Sequence, residues 1–141
     1  MVIQAGGGRL AAGQGALRHA ALEELLNRPD QQGQPGGELQ TLPATSVPVG
    51  LLESAEFTVL EQRLAPGDKV VIYSDGVTEA QNGRSEFFEK GRLREIVAAH
   101  VANSCSAIHD AIQDAVAAFT EGAPQSDDIT VLVLEFRGPA G

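Results

Sequence analysis

This sequence predicts an α+β fold, a mainly antiparallel sheet with helices packed on it, on three observations. First, Val70–Tyr73 and Ile129–Phe136 are apolar runs of strand length, rich in β-branched residues. Second, Ala65-Pro66-Gly67-Asp68 is a turn signal, with Pro fixing the first corner and Gly able to take a positive φ. Third, the stretch between the two runs carries two apolar stripes at helical spacing.

Taken in chain order, residues 1–38 read as a Gly/Gln/Pro-rich leader with one helix. The helix is expected over Gln14–Arg28, with Leu22, Leu25 and Leu26 on one face and Pro29 ending it. Gln31-Gln32-Gly33-Gln34-Pro35-Gly36-Gly37 reads as a loop. Residues 39–137 form the more regular part, and 138–141 a tail. Phe57–Leu64 alternates imperfectly and, across the turn at 65–68, pairs in expectation with Lys69–Ser74 as a hairpin. Gly91–Val101 is expected to be helical, with Leu93, Ile96, Val97 and Val101 on one face. Asn103 or Ser104 can cap a second helix, whose stripe is Cys105, Ile108, Ile112, Ala115 and Phe119, ended by Gly122 and Pro124. Ile129–Phe136 is the last strand. No internal repeat is visible.

The bulk numbers narrow the function. With 141 residues and 43% apolar content, the chain can bury one ordinary core. Its net charge of −9 argues against nucleic acid and against an anionic membrane surface. No apolar run approaches the ~20 residues of a membrane span, and the start lacks the charged-then-apolar pattern of a signal peptide. The single cysteine, Cys105, allows no internal disulfide, which fits a cytoplasmic protein. The Gly-rich start has no Gly-Lys-Ser/Thr ending, so it is not a phosphate loop of that type. The three histidines are dispersed and lack metal-ligand spacing.

Acids mark the ends of both apolar runs. Val70–Tyr73 runs into Ser74-Asp75-Gly76, and Asp127-Asp128 precede Ile129. A strand end holds a carboxylate rigidly, and a neighbouring turn leaves it reachable by water. Two such acids side by side would suit a hard divalent cation, which prefers oxygen ligands, and metal-assisted hydrolysis. Each motif also has a plainer reading. Asp-Gly after a strand is a common turn dipeptide, and Asp127-Asp128 can be loop acids before a strand.

The ordered series is more specific than its parts. Leu64-Ala-Pro-Gly-Asp68, Tyr73-Ser-Asp-Gly-Val-Thr-Glu-Ala80, Phe87-Phe-Glu-Lys-Gly-Arg-Leu93 and Asp127-Asp-Ile-Thr130 occur in that order, behind Thr45-Ser-Val-Pro-Val-Gly-Leu51. Over residues 39–137 this resembles the C-terminal part of the stage II sporulation protein E-type phosphatases, a bacterial branch of the metal-dependent PPM family. The resemblance implies part of an α-β-β-α sandwich holding Mn²⁺ or Mg²⁺, in which a metal-bound water attacks a phosphoserine or phosphothreonine. It carries Asp75 and Asp127 over as metal ligands, with Gly76, Asp128 and Thr130 supporting them from behind and no catalytic residue beyond the ligands. It further implies a phosphorylated regulatory protein of the anti-sigma-factor antagonist type as partner, and allows a homodimer. The family's N-terminal Gly-Asp motif, whose Asp bridges two metals, has no counterpart here. The expectation is therefore a phosphatase domain without its N-terminal half or, alternatively, an inactive phosphatase-like module that binds or dimerises.

Overall fold

A computed structural model describes residues 2–5, 8–11, 23–27, 39–42, 61–125 and 127–138. In chain order the elements are strands β1 (Val2–Ala5), β2 (Gly8–Ala11), β3 (Glu23–Asn27), β4 (Leu39–Leu42), β5 (Glu61–Leu64) and β6 (Lys69–Tyr73), helices α1 (Asp75–Thr78), α2 (Glu89–His100) and α3 (Cys105–Thr120), and strand β7 (Val131–Glu135). The strands form two sheets. One has the order β2-β1-β5, with β1 antiparallel to β2 and parallel to β5. The other has the order β4-β3-β6-β7 and is antiparallel throughout.

The β6 side chains alternate as a strand between two layers must. Val71 and Tyr73, both buried, face the helices. They pack with Val77, Leu93, Val97, Ile108, Ile112 and Val116 into one core. Val70 and Ile72 point to the other face, where Leu42, Leu134 and Leu64 join them. Leu64 lies on β5, so this second cluster is where the two sheets meet. The described layers are thus helices, four-stranded sheet and three-stranded sheet, an α+β arrangement as the sequence predicted.

Local signals placed the helices well. Ser104 caps α3 by accepting from the Ala107 N–H at 3.2 Å. Glu121 then turns left-handed (φ 50°) and Gly122 follows at φ 81°, closing the helix where Gly was expected to end it. On α2, Leu93 and Val97 are fully buried. Its Arg94 fastens the helix to the edge strand β4, donating to Thr41 Oγ1 at 2.7 Å and to the Leu39 carbonyl at 3.0 Å.

Three expectations need correction. The helix over 14–28 is, at residues 23–27, strand β3, paired on one side with β4 and on the other with β6. Two ladders satisfy every backbone group of an interior strand, and that tertiary gain overrides a weak local preference; residues 14–22 lie outside the described residues. Among its described residues the leader carries the strands β1, β2 and β3. Finally, 57–74 is not a paired hairpin: β5 pairs with β1, and β6 pairs with β3 and β7. The turn at 65–68 has the expected chemistry, with Gly67 at φ 93° and the Asp68 N–H donating to the Ala65 carbonyl at 3.0 Å. Yet its Gly67 N–H donates to the Phe136 carbonyl (2.7 Å), and the Phe136 N–H to the Asp68 carbonyl (2.9 Å). The turn is tied to the end of β7, so the chain crosses from one sheet to the other there. Asp68 is buried within it, its carboxylate accepting from the Ala65 N–H at 2.8 Å. Residues 43–60 and 139–141, which include the Thr45–Leu51 motif and the start of the predicted strand at 57–64, lie outside the described residues.

Candidate metal centre

The β6–β7 ladder decides where the acids go. Its last pair is Tyr73 with Val131, and the next step in the same register sets Ser74 opposite Thr130. The Ser74 N–H donates to the Thr130 carbonyl at 3.0 Å, continuing the ladder by one bond. Beyond that point both strands leave the sheet, β6 into α1 and β7 backward into Asp128-Asp127.

Ser74 occupies the N-cap position of α1, but its hydroxyl does not cap that helix. It donates instead to the Asp128 carbonyl at 2.9 Å and accepts from the Thr130 N–H at 3.0 Å. One buried serine thus ties the two acidic segments together across more than fifty residues of sequence. Behind it sits Gly76, also buried. A Cβ on Gly76 would run into the Asp128 carbonyl oxygen, with the carbonyl carbon 2.9 Å away. The close approach that Gly76 permits is therefore backbone to backbone.

Asp75 opens α1 rather than standing on the strand itself. Its Oδ1 accepts from the Gly76 N–H at 3.0 Å, and its carbonyl accepts from Thr78 Oγ1 at 3.2 Å and from the Glu79 N–H at 2.8 Å. These bonds make the plainer turn reading of Asp75 true as local structure, and they leave Oδ2 uncommitted. Asp127 Oδ1 accepts from the Asp128 N–H at 2.7 Å, and the Asp127 carbonyl accepts from Gln125 Nε2 at 2.6 Å. Asp75 is half-buried, whereas Asp127, Asp128 and Thr130 are exposed.

No Lys, Arg or His among the described residues forms an ion pair with Asp75, Asp127 or Asp128. What meets at this end of the sheet is the backbone of the two acid-bearing segments. The donors are all oxygen, which matches Mg²⁺ or Mn²⁺ better than zinc. No three His, Cys, Asp or Glu side chains among the described residues form a group able to hold an ion. A cation of the Mg²⁺ kind needs few protein carboxylates, because it commonly keeps waters and substrate phosphate oxygens in its other positions.

Sequence reasoning named Asp75, Gly76, Asp127, Asp128 and Thr130, and the fold brings the segments that carry them together. It overlooked Ser74 and Gln125. Ser74 had a signal, a small hydroxyl between an apolar strand and Asp-Gly, but that pattern reads as a helix cap. Gln125 had none.

The family model described as Stage II sporulation protein E matches residues 21–137. Protein IcfG of Synechocystis sp. is 32% identical over 93 residues, which cover 66% of this chain and 14% of that protein. Phosphoserine phosphatase RsbU of Bacillus subtilis is 28% identical over 93 residues, covering 66% of this chain and 27% of that one. The chain thus spans only a minor part of the length of either relative. Among solved structures, the SiaA-PP2C domain of Pseudomonas aeruginosa superposes with a TM-score of 0.65 at 23% identity, over 83% of this chain and 44% of that one. At that identity the likeness concerns the fold.

Proposed function

The chain belongs to the Stage II sporulation protein E family of PPM-type phosphatase domains, and from that premise we propose that it takes part in hydrolysing phosphoserine or phosphothreonine on a protein, with Mn²⁺ or Mg²⁺. The observation that supports this most is the closure at the end of the β6–β7 ladder, where Ser74 and Gly76 clamp the Asp127–Asp128 backbone beside Asp75. In this reading Asp75 and Asp127 ligate the cation. Gly76 admits the second strand, and Asp128 and Thr130 orient the loop through the Asp128 carbonyl and Thr130 N–H that Ser74 engages. When bound, the cation supplies Lewis-acid polarisation of the phosphoryl oxygens and acidifies water. In this reading the protein's part is to bring the two carboxylates to one cation from segments that Ser74 ties together.

The substrate in this proposal is a phosphorylated regulatory protein of the anti-sigma-factor antagonist type, in the bacterial cytoplasm. It is supported by the similarity to a phosphoserine phosphatase. No helix among the described residues is long and apolar enough to cross a membrane. A second reading, a phosphatase-like module that binds partners or dimerises without turnover, draws on one observation: no third acid joins the pair among the described residues.

Hydrolysis of 4-nitrophenyl phosphate and of a phosphoserine peptide, with and without Mn²⁺, separates the two. The first reading expects metal-dependent turnover that falls roughly a hundredfold or more in Asp127→Ala and Asp75→Asn, since losing even a group behind a ligand costs 10–100-fold. Absence of turnover at any Mn²⁺ concentration would leave the binding module standing. Turnover indifferent to metal, or to both substitutions, would remove the site from Asp75 and Asp127.

A further inference from the structure

Beside the acidic loop lies a cavity of about 390 Å³. The end of the α1 segment forms one wall through Ala80 and Gln81. The C-terminal half of α3 forms another, and the loop running toward Asp127 closes the third, with Pro124, Gln125 and Ile129. Two of these walls are continuations of the segments that hold Asp75 and Asp127. One wall side chain, Gln125, donates to the Asp127 carbonyl itself at 2.6 Å. The cavity is therefore built onto the candidate centre.

Its chemistry differs from that of the centre. None of the described lining residues carries a charge, although the chain as a whole stands at −9. The floor is aliphatic, with Val116 and Ile129 among its residues, and neutral amides and a hydroxyl complete it. Such a surface rewards an apolar side chain with amide-bonding backbone on either side, and it offers nothing to an ionised one. Two residues of an extended peptide span ~7 Å, and Gln125 on the cavity wall stands two positions before Asp127 in the sequence.

We propose that this cavity is a specificity pocket for the protein substrate, receiving an apolar side chain about two residues from the phosphorylated one. The inference rests on the phosphatase reading for the position of the phosphoserine. It adds what that reading lacks, a residue preference and a place for it. Ala117 and Gln113 are exposed positions on the α3 wall, so a bulky residue at either fills the cavity without disturbing the core.

The test uses three fluorescein-labelled phosphoserine peptides that differ only two positions before and after the phosphoserine, where they carry Leu, Asp or Lys. Binding is read by anisotropy with Mn²⁺ present. The Leu peptide should bind about tenfold tighter than the other two, in keeping with burial of one aliphatic side chain. Ala117→Trp and, independently, Gln113→Trp should erase that preference, urea midpoints confirming that each variant is folded. Hydrolysis of 4-nitrophenyl phosphate, which has no flanking residue, reports separately on the phosphatase reading. If it is absent while the Leu preference and its loss are seen, the hydrolase reading falls and the pocket stands. Equal binding of the three peptides, no binding of any, or a preference that survives both Trp substitutions would overturn the pocket.

Discussion

The segment after β6 and the segment before β7 meet at the same end of one sheet, yet they are held in opposite ways. Ser74, Gly76, Val77, Thr78 and Ala80 are buried, and Val77 belongs to the helix-facing core. Across from them, Asp127, Asp128 and Thr130 are exposed. The first segment is fixed by packing and carries Asp75 with it. The second is anchored in that core only through the half-buried Ile129, and its acids are held by a few hydrogen bonds, nearly all of them to the first segment or to its own neighbours. One acid is thereby set in the core's frame, and the other is strapped to that frame while facing water.

Three substitutions test this contrast. The largest effect should come from Gly76→Ala, because the new methyl meets backbone, which cannot swing aside. A loss of about 3 kcal/mol is expected, at the upper end for overpacking, read from the urea midpoint with an unchanged slope. A stability equal to the parent's would mean that the two segments separate freely and that the strap does not exist.

Ser74→Ala should come next, at about 2 kcal/mol, since it leaves a carbonyl and an N–H without their buried partner. Its more telling readout is local. Hydrogen exchange at the Thr130 amide should quicken well beyond what the global loss explains, while amides of β6 should follow global stability. Uniform acceleration of both would show that the outer segment is no looser than the inner one.

Gln125→Ala should cost least, about 0.5 kcal/mol, as befits one exposed hydrogen bond. It should nonetheless weaken Mn²⁺ binding measurably in calorimetric titration, because it frees the Asp127 backbone. A variant with altered stability and unchanged Mn²⁺ affinity would detach Gln125 from the centre.

What could be read from residues alone was whatever depends on near neighbours. The stripe Leu93, Val97 and the stripe Ile108, Ile112 imply helices because 3.6-residue spacing puts them on one face, and both stripes are buried. Ser104 as a cap, Gly122 as a stop and Gly67 as a turn residue follow from local backbone sterics. Val70–Tyr73 is a strand for similar reasons, and the acids at its end could be named as candidates. Tertiary structure alone decided the rest. Leu25-Leu26 lie in strand β3, not a helix, because β4 and β6 offer ladders on both sides. Glu61–Leu64 leaves its sequence neighbour β6 for β1, and Ser74 abandons the cap role of its local sequence for Asp128 and Thr130. In each case a partner far along the chain competes with a local preference worth a few tenths of a kcal/mol to about 1 kcal/mol. Satisfying buried backbone groups outweighs that preference, and no window of neighbouring residues contains the partner that decides the outcome.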